Sequence, residues 1–208
     1  MNTYHKIPTV YKRDPETKHR TLIDGCFATP ELEYLQNLNW VFTEKVDGTN
    51  IRVMFDGEKI TFGGKTENAQ IPAPLLEMLA GHFLPKLYLF KLLFDKRVCL
   101  YGEGYGAKIQ KGGKYRSDQS FVVFDVKVGD MWLRRGGVAD IADRLGLELI
   151  PCIGFGTLPE MVSPAKKGFN SRWGTFLAEG IVARPRTELC ARDGSRIITK
   201  IKHKDFRQ

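Results

Sequence analysis

Thr43-Glu44-Lys45-Val46-Asp47-Gly48-Thr49-Asn50 is the run from which the rest of this 208-residue chain is best read. Trp40 to Lys45 reads as a strand that delivers a lysine into a tight Asp-Gly turn, and Ile51 to Phe55 reads as a second strand leaving it. A lysine on a strand end is held by the sheet, while the neighbouring glycine lets a bulky ligand approach the backbone. Such an amine becomes a nucleophile when burial or nearby cations lower its pKa from the free value of ~10.4. Taken alone, the run describes an ordinary hairpin with a solvated lysine. Segments further along give it another meaning.

Those segments are Tyr101-Gly102-Glu103-Gly104, Phe121-Val122-Val123-Phe124-Asp125-Val126, Glu179-Gly180-Ile181-Val182-Ala183-Arg184-Pro185 and Lys200-Ile201-Lys202. With Glu44 to Asn50 at the head, the set resembles motifs I, III, IIIa, IV and V of the covalent nucleotidyltransferases, the superfamily of polynucleotide ligases and mRNA capping enzymes. Within it the likeness is to the RNA ligase 2 type, whose first motif ends in Thr-Asn, whereas DNA ligases usually place arginine where Asn50 stands. The resemblance runs from about Trp40 to Lys202.

Composition agrees with a nucleic-acid enzyme. The net charge is +8, which favours a polyanionic partner, and hydrophobic content of 42% is globular. The most apolar stretch, Ala73 to Phe94, carries Glu77, His82, Pro85, Lys86 and Lys91, and so reads as two amphipathic helices rather than a membrane span. The N-terminus lacks the apolar segment of a signal peptide. Cys26, Cys99, Cys152 and Cys190 form no Cys-x-x-Cys pair and suit reduced thiols in a cytoplasmic protein.

The expected fold class is α+β, with mostly antiparallel sheets flanked by helices. One adenylyltransferase domain is expected over residues 1–208, with residues 1–40 a β-rich lead-in and without the C-terminal OB-fold of most relatives. In the lead-in, Ile7 to Tyr11 and Thr21 to Ile23 read as strands, and Thr29-Pro30-Glu31 as a helix start. Further strands are expected at 40–45, 51–55, 59–63, 97–102, 121–127, 131–134, 147–151, 179–184 and 196–202. Helices are expected at 74–83, 86–94, 137–145 and 158–167, the last opened by a Thr157/Glu160 capping box.

The resemblance implies adenylyl transfer through a lysine–AMP intermediate, with ATP and Mg²⁺ or Mn²⁺ as cofactors. Lys45 would be the nucleophile, with Lys200 and Lys202, two apart on one strand and hence on one face, meeting the triphosphate. Glu44 would lie beside the adenine, Glu103 would reach the ribose hydroxyls, and Glu179 would ligate the metal. Phe124 would stack on the adenine, with Phe121 as the fallback; strict alternation puts Phe121, Val123 and Asp125 on one face and Val122, Phe124 and Val126 on the other. Lys65 falls near a basic phosphate contact that is usually arginine, and lysine lacks the bidentate fork. Asn50 would act on the nick. Residues 105–120 form a glycine-rich loop whose Lys108, Lys111, Lys114 and Arg116 would contact a phosphate backbone, as would Lys6, Lys12 and Arg13 of the lead-in.

The partner so implied is nicked or broken RNA, alone or paired with DNA, with room for a protein partner in place of the missing domain and no role for a membrane. Two rivals stay open. One is a compact DNA ligase, against which Asn50 argues. The other is a non-catalytic nucleic-acid-binding module on a ligase fold, against which the intact lysines and glutamates argue.

Overall fold

Local chemistry places the first elements. Strands β1 (Tyr11–Arg13) and β2 (Leu22–Phe27) pair antiparallel. Thr29 caps helix α1 (Pro30–Tyr34), its hydroxyl accepting from the Leu32 N–H, with proline in the first turn where a missing N–H costs nothing. Strands β3 (Trp40–Lys45), β4 (Thr49–Phe55) and β5 (Ile60–Gly63) follow, then helix α2 (Ala73–Phe83). A 3₁₀ turn at Leu84–Lys86, built around Pro85, separates α2 from α3 (Leu87–Leu93). The chain continues through β6 (Val98–Gly106), β7 (Gln119–Val128), β8 (Met131–Trp132), α4 (Arg135–Leu145) and β9 (Glu148–Leu149). It ends with β10 (Cys152–Gly156), α5 (Leu158–Lys167), β11 (Gly180–Pro185) and β12 (Thr199–Lys202).

This computed structural model describes residues 3–206 and divides into two units. The first holds Asp47–Ile150 with the residues up to His5, and the second holds Lys6–Val46 with the chain from Pro151 onward.

The first unit is built on a sheet of order β5-β4-β6-β7-β8, antiparallel throughout, with β9 added parallel to β7. Ile51, Val53 and Phe55 alternate along β4 into a core shared with Leu75, Leu79 and Phe83 of α2 and Phe90 of α3. Asn50, Arg52 and Met54 therefore occupy the opposite face. Alternation fails on β7 for a physical reason. Tyr101 pairs with Asp125 but Gly102 pairs with Val123, so Phe124 is the extra residue of a β-bulge. Phe121 and Val123 face the core before the bulge, and Val126 faces it afterwards. Asp125 is thereby moved to the face away from the core, against the expectation from strict alternation.

In the second unit the sheet order is β10-β3-β11-β12. Trp40 and Phe42 of β3, Ile181 and Ala183 of β11 and Ile201 of β12 pack with Leu158, Met161, Val162 and Ala165 of α5. The Thr157/Glu160 capping box that opens α5 is present. Trp40 is fully buried, and its indole N–H donates to the Leu35 carbonyl at 3.0 Å. Trp40→Ala is expected to lower unfolding stability by ~3–5 kcal/mol through the cavity it leaves. A urea titration that moves by less than about 1 kcal/mol would remove Trp40 from the core account.

The expected α+β class is found, and further local readings change: the first strand is Tyr11–Arg13 rather than Ile7 to Tyr11. Asp47-Gly48 does not close a hairpin, because β3 and β4 belong to different sheets and pair with other strands. Cys152–Gly156 forms a strand that propensity gives no reason to expect, since two of its residues are glycine and pairing with β3 creates it. Among the described residues no helix is long and apolar enough to cross a membrane.

Candidate active site

Three neighbouring strands of the second unit bring the key side chains into one row. Gly180 of β11 pairs with Lys45 of β3 on one side and with Lys202 of β12 on the other. Glu179 immediately precedes Gly180, and its carboxylate accepts from both flanking ammonium groups. Lys45 Nζ donates to Oε2 at 2.5 Å and Lys202 Nζ donates to Oε1 at 2.5 Å. Gly180 itself is obligatory, since a Cβ there would lie 2.1 Å from the Ile201 carbonyl oxygen. Lys200 stands opposite Val182, on the same face as Lys202, while Thr199 and Ile201 point inward. Lys45, Lys200 and Lys202 thus bring three cationic side chains to the face that carries Glu179, a suitable place for an anion.

Glu44 lies one residue from Lys45 and so on the opposite face of β3, the face of Trp40 and Phe42. It is 1% exposed. Oε1 accepts from the Ser171 hydroxyl at 2.6 Å and Oε2 from the Arg172 backbone N–H at 2.8 Å. The carboxylate expected at the adenine edge thus holds the Ser171–Arg172 turn instead. Burial pushes its carboxyl above the usual carboxylate range, with the hydrogen bonds from Arg172 and Ser171 opposing. The folded state then holds a proton more tightly than the unfolded chain, so this residue's contribution to stability falls as pH rises from the ordinary value of 4.5 through the raised one. Ser171 and Arg172 gave no signal in the sequence, being loop residues without periodicity.

In the first unit, Asn50 pairs with Glu103 and Glu103 with Val122 across β4, β6 and β7. A Cβ on Gly102 or Gly104 would strike Phe121 or Leu75 in the core, so Glu103 between them points to the other face. Gly48 packs against this row, since a Cβ there would sit 2.3 Å from the Gly104 carbonyl oxygen and 2.8 Å from Glu103 Cγ. Close approach, rather than turn geometry, is why a glycine follows Asp47. Asn50 Oδ1 is buried and has no hydrogen-bond partner among the described residues, an acceptor held ready for a donor.

Phe124, at the bulge, is half-buried, and Tyr4 meets it edge-on at 5.1 Å while donating its hydroxyl to Asp125 at 2.5 Å. Phe121, by contrast, is a core residue against Phe83, which removes the fallback. Lys65 is exposed on a loop that Arg52 pins, its Nε donating to the Gly64 carbonyl and a terminal nitrogen to Glu67, both at 2.9 Å. Arg52 is fully buried. Sequence reasoning missed it, because a charged residue at an alternating position reads as solvent-facing.

The glycine-rich loop is built rather than slack. Ile109 enters the core, Gly112 fits where a Cβ would meet the Gly106 carbonyl oxygen at 2.4 Å, and the Tyr115 hydroxyl accepts from the Asp47 N–H at 3.2 Å. Lys108, Lys111 and Lys114 are exposed, whereas Arg116 is clamped by both oxygens of Asp118. In the lead-in, Arg13 is likewise paired, with Asp205 at 3.1 Å.

The RNA ligase family model matches residues 38–202. Comparison with curated protein sequences gives no match. Among solved structures, Naegleria gruberi RNA ligase with PPi superposes with a TM-score of 0.69 at 16% identity, over 97% of this chain and 56% of that one. A mutant of that ligase with AMP and Mn gives 0.69 at 15% identity, over 97% and 56%. Another, with ATP and Mn, gives 0.67 at 16% identity, over 98% and 63%. This chain therefore spans little more than half the length of the structures it matches, and at such identity they speak for the fold alone. The family model covers the greater part of the sequence, from ahead of Lys45 through Lys202, and on that ground the chain belongs to the RNA ligase family.

Proposed function

We propose that this protein is an ATP-dependent RNA ligase that joins a 3′-hydroxyl to a 5′-phosphate through an adenylylated Lys45. The observation that carries the reading is the row Lys45–Glu179–Lys202, in which one carboxylate is shared by two ammonium groups. In the first step the Lys45 amine forms a P–N bond to the α-phosphorus of ATP as the bond to the pyrophosphate oxygen breaks. The amine must be neutral to attack, and Lys202 and Lys200 of β12 lie on the same face of the sheet. The same two lysines suit the charge on the departing pyrophosphate. AMP then passes to the RNA 5′-phosphate, and the 3′-hydroxyl displaces it.

Glu179 is chemically fit to take part in holding Mg²⁺ or Mn²⁺, being a hard-oxygen ligand beside the nucleophile. No group of three or more His, Cys, Asp or Glu side chains that could hold a metal occurs among the described residues, so phosphate oxygens and water would complete the shell, as is usual for Mg²⁺. When bound, such a cation supplies neutralisation of phosphate charge. The ligase structures with ATP and Mn, and with PPi, support this reading.

Glu103 and Phe124 keep their expected ribose and adenine contacts as part of this proposal, and Asn50 its contact with the nick. Lys65 keeps a phosphate contact. RNA backbone charge would be met by Lys108, Lys111 and Lys114, with Arg116 set aside because Asp118 already holds it. Free cysteines throughout suit a reducing, cytoplasmic setting.

Labelled ATP with Mg²⁺, followed by a nicked RNA duplex, tests the proposal. Label should appear first on the protein and then on the RNA 5′-end, and the nick should close. A non-catalytic module would bind RNA without acquiring label. Changing Lys108, Lys111 and Lys114 together to alanine should leave protein labelling intact and slow sealing. The log–log salt slope of RNA binding should flatten by ~0.7–0.9 for each backbone phosphate that these lysines neutralise. An unchanged slope would reduce the loop to a connection.

A further inference from the structure

A buried carboxylate that holds a surface turn needs a reason. Glu44 is taken from water at a cost in charge solvation, and both of its oxygens are engaged by Ser171 and the Arg172 N–H. The Ser171 hydroxyl oxygen in turn accepts from the Trp173 N–H at 3.1 Å. Two backbone bonds close the turn, Ser171 N–H to the Phe176 carbonyl at 2.8 Å and Gly174 N–H to the Ser171 carbonyl at 3.3 Å. Gly174 packs so closely on the Phe176 ring that a Cβ would lie 3.2 Å from it. The result is a rigid excursion, anchored on the residue next to the nucleophile, that presents an exposed Arg172 beside a half-buried Trp173.

Charge around the turn is one-sided. Between Glu160 and Glu179 the chain carries Lys166, Lys167 and Arg172 and no acid. Lys166 is neutralised by Asp24, which leaves Lys167 and Arg172 as the cations offered to a partner. A tryptophan face next to an arginine, with the one carboxylate at the turn, Glu44, buried beneath it, has the composition that single-stranded nucleic acids use, with a base on the ring and a phosphate on the guanidinium.

We infer that the turn Ser171–Phe176 is an RNA-docking platform on which Trp173 stacks an unpaired base and Arg172 meets the adjacent phosphate. This rests on the ligase reading for its purpose, but not for its test. Glu44 is then a positioning residue: it fixes the platform through the Ser171 hydroxyl and the Arg172 N–H.

The probe is a short 5′-phosphorylated single-stranded RNA, titrated without ATP and followed by tryptophan fluorescence and by anisotropy of a labelled copy. RNA should quench the wild-type emission, and the quench should be lost in Trp173→Phe, where Trp40 and Trp132 remain. Trp173→Leu should weaken binding by roughly five- to a hundredfold, the range that base stacking covers. Trp173→Phe keeps an aromatic face and should bind within a few-fold of wild type, which a merely misfolded turn would not do. Arg172→Gln should flatten the salt slope by ~0.7–0.9. Equal RNA affinity in wild type and Trp173→Leu would overturn the inference. So would quenching of Trp173 by ATP alone, which would make the turn part of the nucleotide's own contacts. Because the titration contains no ATP, failure of lysine–AMP formation would sink the ligase reading and leave this result standing, and the converse also holds.

Discussion

Lys45→Ala, incubated with ATP and Mg²⁺, should gain no mass, whereas the wild-type chain should gain one AMP. The nucleophile is removed outright, so the expected loss is roughly a thousandfold or more in the rate of adduct formation. Lys45→Arg should fail as completely, because a guanidinium stays protonated and cannot attack phosphorus. Neither change should unfold the chain: the Lys45 side chain is 20% exposed, and Glu179 retains Lys202 as a partner. Intact-mass measurement beside a thermal melt separates lost chemistry from lost structure. A variant that melts like wild type and still acquires AMP would show that another lysine carries it.

Glu179→Gln should have the second-largest effect. The amide keeps the size of the side chain but removes the charge that both ammonium groups share at 2.5 Å, along with the hard-oxygen ligand offered to a divalent cation. Loss of a preorganised electrostatic group of this kind lowers rates by ~10²–10³, and pre-steady-state labelling with α-labelled ATP would report it. Raising the Mg²⁺ concentration should not restore the wild-type rate. Full recovery at high Mg²⁺ would mean that Glu179 tunes metal affinity only and has no part in setting Lys45. The opposite-face neighbour Glu44 gives a contrast. Its carboxylate is engaged with the Ser171–Arg172 turn, and its replacement by glutamine should register in RNA binding more than in metal dependence.

Lys45, Glu179 and Lys202 were expected together because each stands at a strand end in a recognisable run, and the structure brings them side by side. Their mutual ion pairs were not legible, since Lys45 and Glu179 are 134 positions apart and meet only through the register of β3 on β11. Glu44 is next to Lys45 in sequence but on the other side of the strand, where partners far along the chain engage it. Period-two reasoning misled at Asp125, because a single bulged residue, Phe124, inverts the alternation beyond it. The Asp47-Gly48 turn was visible, but that its two strands enter different sheets depends on pairings with β6 and β11 far along the chain. Strand β10 owes its existence to β3 and not to its own residues. Arg52 followed the same logic: a buried arginine is made possible by the Gly64 carbonyl and Glu67, partners that a local window on β4 does not contain.

Peptide mapping of the wild-type adduct reaches the central claim most directly. After brief incubation with ATP and Mg²⁺, the chain would be digested at neutral or alkaline pH, since a P–N bond to lysine is acid-labile, and the fragments sequenced by tandem mass spectrometry. The account predicts a single AMP on the peptide containing Thr43 to Asn50, localised to Lys45, and its disappearance when pyrophosphate is added back. AMP on Lys200, Lys202 or a lysine of the 105–120 loop, or no adduct under conditions where nicked RNA is sealed, would contradict it.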